Sequence, residues 1–385
     1  MEFPNLHSVI LCPGSSLQMW PLSRVHAPVE LAELSGDGGS LLARAIKNVK
    51  QLSNNRIIIA ATYEGAPLIK QHIAKHALLE PREYELLVEA YPRGNALTMA
   101  LVAAHLKLAD SQAVLFALPV SLGFEADDRW WATVERAYRA AEDDALVAVG
   151  TTLEAGDLEA RLAPSSFSHH GCIKRGAELE ELPGVFNVRS FVANPTPSYA
   201  YRATQQGALW STHIIAAKAT LVLAELKHTG AQATSVDAQG AQRLAETAGF
   251  LAALGSDHWS SKEAQSVLAT LPAASLEQAV FETTQRLVVV PTSIPFDNRA
   301  SLMDLEKGLP ANVHGNRAKG RVLAVDSVNS TVLTRDEKLV VTLGVEGLVV
   351  IDTADALLIA SRDALDAMPS VIAQLRSTQA PELLD

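Results

Sequence analysis

With 385 residues, 48% of them hydrophobic, the chain can bury one large core and a smaller one without disulfide or metal staples. A formal net charge of −11 and the lack of any long Lys/Arg run exclude a nucleic-acid or anionic-membrane surface, because both need clustered cations. Two distant cysteines, Cys12 and Cys172, an acidic start and no apolar run near the roughly 20 residues of a membrane helix give the expectation of a cytoplasmic protein without leader or membrane span.

In chain order, short apolar runs rich in β-branched residues recur at Ser8 (SVILC), Arg56 (RIIIAAT), Glu85 (ELLVEAY), Ala113 (AVLFALP) and Ala145 (ALVAVGT), each reading as a buried strand. Helical periodicity lies between them, at Leu42, Ile46, Val49 and Leu52 behind a cap at Ser40, and from Asn95 onward. Strands alternating with helices predict an α/β fold, a Rossmann-like, mostly parallel sheet covered on both faces, with the first strand-to-helix loop as the phosphate site. That loop reads LCPGSSLQMWPLSR from Leu11 to Arg24. Further strands are expected at Phe186 and Arg286, and helices over 217–228, 241–254 and 275–285, with 228–274 a peripheral helical insertion. From about residue 311, five short apolar strands separated by Gly, Asn and Asp turns predict a β-rich module, with no strict internal repeat. The expected domains are 1–305 and 306–385.

Three ordered matches resemble the bacterial mannose-1-phosphate guanylyltransferases, a branch of the sugar-phosphate nucleotidyltransferases. The family's first loop, LAGGSGTRLWPLSR, shares Leu11, Gly14, Ser15 and Trp20 to Arg24. RGNALTMALVAA at Arg93 is similar to RNTAPAIALAA. The run from GRVLAVDSVNS to IASRD is similar to a C-terminal left-handed β-helix-like domain. The resemblance implies an in-line phosphoryl transfer in which mannose 1-phosphate attacks GTP, giving GDP-mannose and pyrophosphate, with Mg²⁺ and cations neutralising charge.

Set against the family's charged groups, the chain departs at most of them. The loop Arg falls on Gln18, and two loop glycines fall on Pro13 and Ser16. The PKQ lysine falls on Val29, with Glu30 beside it. The family's two magnesium carboxylates fall on Ser121 and Asn298, with Asp297 one position away. FVEKP becomes FVANP, leaving Ala193 and Asn194, and WNSG becomes WSTH at Trp210. TGYGYI becomes SHHGCI at Ser168, retaining Gly171. Neutral Ser and Asn are poor magnesium ligands, so no metal or cofactor site is expected.

The expected nucleotide contacts are Gly14, Ser15, Arg24, Arg93 and Asn95, and the expected sugar-side residues Gly171, Asn194 and Trp210. Arg24, with Trp20 and Pro21, equally fits a loop anchor, and Asn95 a helix cap. His169 and His170 beside Cys172 read as a solvated loop, Asp127 and Asp128 as a helix start before Trp130 and Trp131, and ELEEL at Glu178 as an exposed turn. The expected protein is a catalytically impaired homologue that binds GTP or a nucleotide sugar, or regulates an active relative as a homodimer or hetero-oligomer. The competing expectation is an active nucleotidyltransferase with altered metal and phosphate contacts.

Overall fold

The computed structural model describes residues 3–14, 19–32, 39–152, 171–229, 238–298, 309–335 and 338–377, with 302, 306 and 384. Its strands and helices follow in chain order: β1 (Leu6–Cys12), α1 (Leu41–Val49), β2 (Ile57–Thr62), α2 (Gly65–Lys75), β3 (Tyr84–Glu89), α3 (Asn95–Ala109), β4 (Val114–Pro119), β5 (Leu122–Gly123), α4 (Asp128–Glu142) and β6 (Leu146–Thr151). The middle of the chain adds β7 (Cys172–Leu179), β8 (Leu182–Val192), α5 (Pro197–Gln205), β9 (Leu209–Lys218), α6 (Ala219–Thr229), α7 (Ala238–Leu254), α8 (Lys262–Leu268), β10 (Leu287–Thr292) and β11 (Asp297–Asn298).

Nine strands form one sheet in the order β3-β2-β1-β4-β9-β6-β10-β8-β7. β1, β2, β3 and β4 pair in parallel, as do β6 and β10; β9 is inserted antiparallel between β4 and β6. The run SVILC is buried throughout because both faces are covered, and its alternate side chains go to opposite layers. Val9 and Leu11 pack with α3, α6 and α7, whereas Leu6, Ile10 and Cys12 pack with α1, α2 and α4. Ser40 caps α1 by accepting from the Ala43 amide, as its position before the helical period predicts. Asp127 caps α4 through the amides of Arg129 and Trp130, and Trp130 is fully buried, its indole donating to Asn48 O. Glu178 lies near the end of β7, and Glu180 and Glu181 form the tight turn into β8.

Three expectations differ from the structure. The described part of 228–274 is not peripheral: Ala241, Leu244, Ala245 and Ala248 of α7 are buried against α3, whose surface is apolar nearly all round because it lies between the sheet and α7. The helix expected over 275–285 is a single π-turn, Glu277–Phe281, and the one expected from 217 begins at Ala219, because Ala217 ends a strand.

The remaining strands are β12 (Arg317–Lys319), β13 (Arg321–Val325), β14 (Thr331–Leu333), β15 (Leu339–Leu343), β16 (Leu348–Asp352) and β17 (Leu357–Ser361), followed by α9 (Met368–Ser377). β12, β14 and β16 stack in parallel, with β17 antiparallel at the edge, and β13 stacks in parallel on β15. Arg321 pairs with Leu339 and Thr331 with Val349, offsets of 18 residues, whereas Arg317 pairs with Thr331, an offset of 14. Met19, Trp20 and Val29 from the first loop enter one apolar cluster with Leu333, Val349, Ile351, Leu358, Met368 and Ile372, so this module packs directly on the loop.

Candidate functional site

In a sheet of this kind ligands lie beyond the carboxyl ends of the parallel strands. That edge gathers Gly14 after β1, Thr62 closing β2, Glu89 closing β3, the turn at Ser121 after β4, and the opening residues of antiparallel β9. Gly14 has φ +86°, and a Cβ there would meet Thr62 Cγ2 and Oγ1 at 3.0 Å, so glycine is required whatever the loop binds. Thr62 Oγ1 accepts from the Gly65 amide and starts α2.

Of the expected nucleotide contacts, Ser15 lies outside the described residues, as does Gln18. Arg24 is buried and turned toward the C-terminal module. Its guanidinium makes a two-pronged ion pair with Asp355, and it also donates to Thr353 Oγ1 (3.1 Å) and Pro21 O (3.3 Å). The whole Trp20–Arg24 motif therefore serves a docking contact: Trp20 joins the shared apolar cluster, and Ser23 Oγ accepts from the Val29 amide. Val29, the position matching the family's lysine, is itself in that cluster.

Arg93 donates to the carbonyls of Leu268 and Ala269. Asn95 is not the cap of α3: Gly94, at φ +84°, holds that place, where a Cβ would lie 2.3 Å from Ala274 O. Asn95 is the first helical residue instead. Its Oδ1 accepts from the Leu276 amide (2.7 Å) and its Nδ2 donates to Glu277 Oε2 (3.2 Å). The Ala96 amide donates to Ala274 O, so the segment 268–277 closes over this helix end.

The two positions that match the family's magnesium carboxylates are brought together by the backbone. β5 pairs antiparallel with β11, placing Asn298 opposite Leu122 and Asp297 opposite Gly123, directly after the turn at Ser121. A hydroxyl and an amide do not fit the hard, charged donor set magnesium prefers.

On the sugar side, Gly171 is held against Phe191, whose Cζ would lie 2.2 Å from an added Cβ, and its carbonyl accepts from the Ser211 amide. Trp210 is buried within β9, its indole donating to Thr204 Oγ1 (3.1 Å). Asn194 is exposed after β8, and the neighbouring Ala193 amide donates to Glu282 Oε1 (2.9 Å). His169 and His170 lie outside the described residues; Cys172 is buried in β7, where burial pushes its thiol up to about 11.

Sequence reasoning gave no role to three acids and one histidine at this edge. Glu30 is buried beside Gly14, and its Oε1 has no hydrogen-bond partner among the described residues. Burial pushes its carboxyl up to about 7, against the opposing pull of the Glu30 and Gly14 amides. Glu89 is also pushed up to about 7 by burial, against hydrogen bonds from Thr98 Oγ1 (2.7 Å) and the Arg93 amide. Glu277, buried, accepts from His213 Nδ1 at 2.8 Å. Burial opposes its charge, but the hydrogen bond and positive charge of His213 hold it below the usual carboxylate range. His213 falls on the glycine of the family's WNSG, and it has φ +60°.

Comparison with known proteins bears on this architecture. The nucleotidyl transferase family model matches residues 7–158, and that of the mannose-phosphate isomerase/GMP-like β-helix domain matches residues 320–375. Alginate biosynthesis protein AlgA of Pseudomonas aeruginosa is 26% identical over 368 residues, covering 95% of this chain and 71% of that protein. Mannose-1-phosphate guanylyltransferase of Escherichia coli is 25% identical over 382 residues, covering 98% and 75%. The crystal structure of mannose-1-phosphate geranyltransferase from Thermus thermophilus superposes with a TM-score of 0.77 at 21% identity, covering 97% of this chain and 99% of that one, a likeness of fold.

Proposed function

We propose that this chain, a member of the mannose-1-phosphate guanylyltransferase family of nucleotidyl transferases, binds a nucleotide sugar in its crevice and is a weak catalyst of the family's phosphoryl transfer. One observation carries the reading: the buried carboxyl of Glu30 stands against the Gly14 amide, a loop donor suited to an incoming phosphate. An acid in that place opposes the charge that develops on a departing pyrophosphate, whereas efficient transfer needs donors and cations aimed at it. Arg24 and Arg93, two cations retained from the family's motifs, are engaged with Asp355 and with backbone carbonyls. The crevice at the strand ends supports ligand binding, and a regulatory role would run through association with an active relative.

The test follows pyrophosphate release from GTP, Mg²⁺ and mannose 1-phosphate beside the Escherichia coli relative. Each missing ionic contact costs about 10²-fold in rate, so turnover is expected at least about 10²-fold below that relative, together with calorimetrically detectable, metal-independent binding of GDP-mannose. Turnover equal to the relative's would overturn the reading. It would favour a working enzyme that recruits Asp297, which the β5–β11 pairing places beside the Ser121 turn.

A further inference from the structure

His213 lies where the central sheet is irregular. Between its pairings with β6, β9 spans Ser211 to Ile215 while β6 spans only Gly150 to Ala148, so residues 212–214 bulge out of the ladder. The last β4–β9 pair is Ala117–Ile215, and His213 is two residues beyond it, level with the carboxyl end of β4. A left-handed backbone suits glycine; histidine accepts it at a cost of about 1 kcal/mol or more. The facing π-turn, which begins at Glu277, is the second irregular element at this spot, and such turns concentrate at functional sites.

These two irregularities converge on one contact. Glu277 is pinned by Asn95 through Oε2, and its Oε1 accepts a hydrogen bond from His213 Nδ1. An ionised, buried carboxylate on Nδ1 fixes the ring's orientation. The His213 side chain is 26% exposed, that of Glu277 only 4%, so the ring and not the acid meets solvent. A histidine braced from behind by a carboxylate, at the carboxyl edge of the sheet, is suited to giving a charge-assisted hydrogen bond to an anionic oxygen.

We propose that His213, positioned by Glu277, recognises the phosphate of a sugar 1-phosphate or of a nucleotide sugar, replacing cations lost elsewhere in the crevice. This rests on the ligand-binding reading above and names the residue that gives it phosphate selectivity. Glu277 acts only through His213 and is a positioning residue.

Calorimetric titration with mannose 1-phosphate, GDP-mannose and unphosphorylated mannose tests the assignment, using wild type, His213→Asn and the double variant His213→Gly with Glu277→Gln. Asparagine tolerates the left-handed backbone, and the double variant removes both charges together, so neither leaves a new strain or a lone buried anion at this pair. With folding checked by circular dichroism, both variants are expected to lose about tenfold in affinity for the phosphorylated probes while mannose binding is unchanged. The mannose 1-phosphate arm separates a free sugar phosphate from a nucleotide sugar as the source. Folded variants that bind the phosphorylated probes like wild type overturn this assignment and leave the binding reading standing. Equal losses for mannose and mannose 1-phosphate also overturn it, because the pair would then be structural. Failure of wild type to bind any phosphorylated probe overturns both.

Discussion

Arg24 in the first loop and Asp355 in the C-terminal coil form a two-pronged ion pair across 331 residues of sequence, with Thr353 completing the guanidinium's partners. This gives a reason for Trp20–Arg24 to persist in a loop that differs from the family's at Pro13, Ser16 and Gln18. The motif holds the module, and that task does not depend on turnover.

Arg24→Ala is expected to lower stability by about 2 kcal/mol, since it also removes the bonds to Pro21 O and Thr353. Asp355→Asn, at a half-exposed side chain, is expected to cost about 1 kcal/mol or less. Hydrogen bonds from Arg24 first, and its charge second, hold the Asp355 carboxyl below its usual range against modest desolvation. The pair's stabilisation is therefore present above the ordinary carboxylate value and is lost as pH falls through the lower folded value. Trp20 fluorescence followed during acid titration should show this loss in wild type and not in Asp355→Asn.

Glu30 sets the opposite pH trend. Its folded value of about 7 lies above the ordinary 4.5, so stability is fully present below pH 4.5 and is lost progressively as pH rises toward 7. Glu30→Gln should remove this loss, which is on the order of 3 kcal/mol. Thermal melts are expected to coincide with wild type near pH 4 and to exceed it at pH 8. A parallel contribution from Glu89, also raised to about 7, remains in the variant, so about half of the slope should persist.

Val29 shows why restoring the family's lysine would fail. Its side chain is 6% exposed among Met19, Trp20, Leu309 and Leu333. Val29→Lys would bury an ammonium there without a partner, and is expected to cost about 3 kcal/mol or more. The urea midpoint should drop accordingly, and combining it with Gln18→Arg, Ser121→Asp and Asn298→Asp should give little turnover. A stable, active quadruple variant would show that the loop can re-form around the cation.

The buried strands of the main sheet were legible because parallel strands covered on both faces leave continuous apolar runs, as in RIIIAAT and AVLFALP. β9 was not. Its polar Ser211, Thr212 and His213 interrupt the apolar run, and AAK passes into α6 without a Gly or Pro to mark the change. The 18-residue offset between stacked strands leaves no strict sequence repeat, because the stacking needs only apolar character at Val332, Val350 and their neighbours. The His213–Glu277–Asn95 network joins residues 64 and 182 positions apart, beyond any local pattern. Its one sequence signal was a histidine aligned with a glycine.

The apolar cluster that Met19, Trp20 and Val29 share with the coil makes the tail a structural creditor of the head. A polypeptide cut near residue 305 would expose an indole and a thioether to water and strand Arg24 without its counter-ion. The two halves should therefore melt in a single cooperative step, and partners that grip the coil would be felt at the mouth of the crevice.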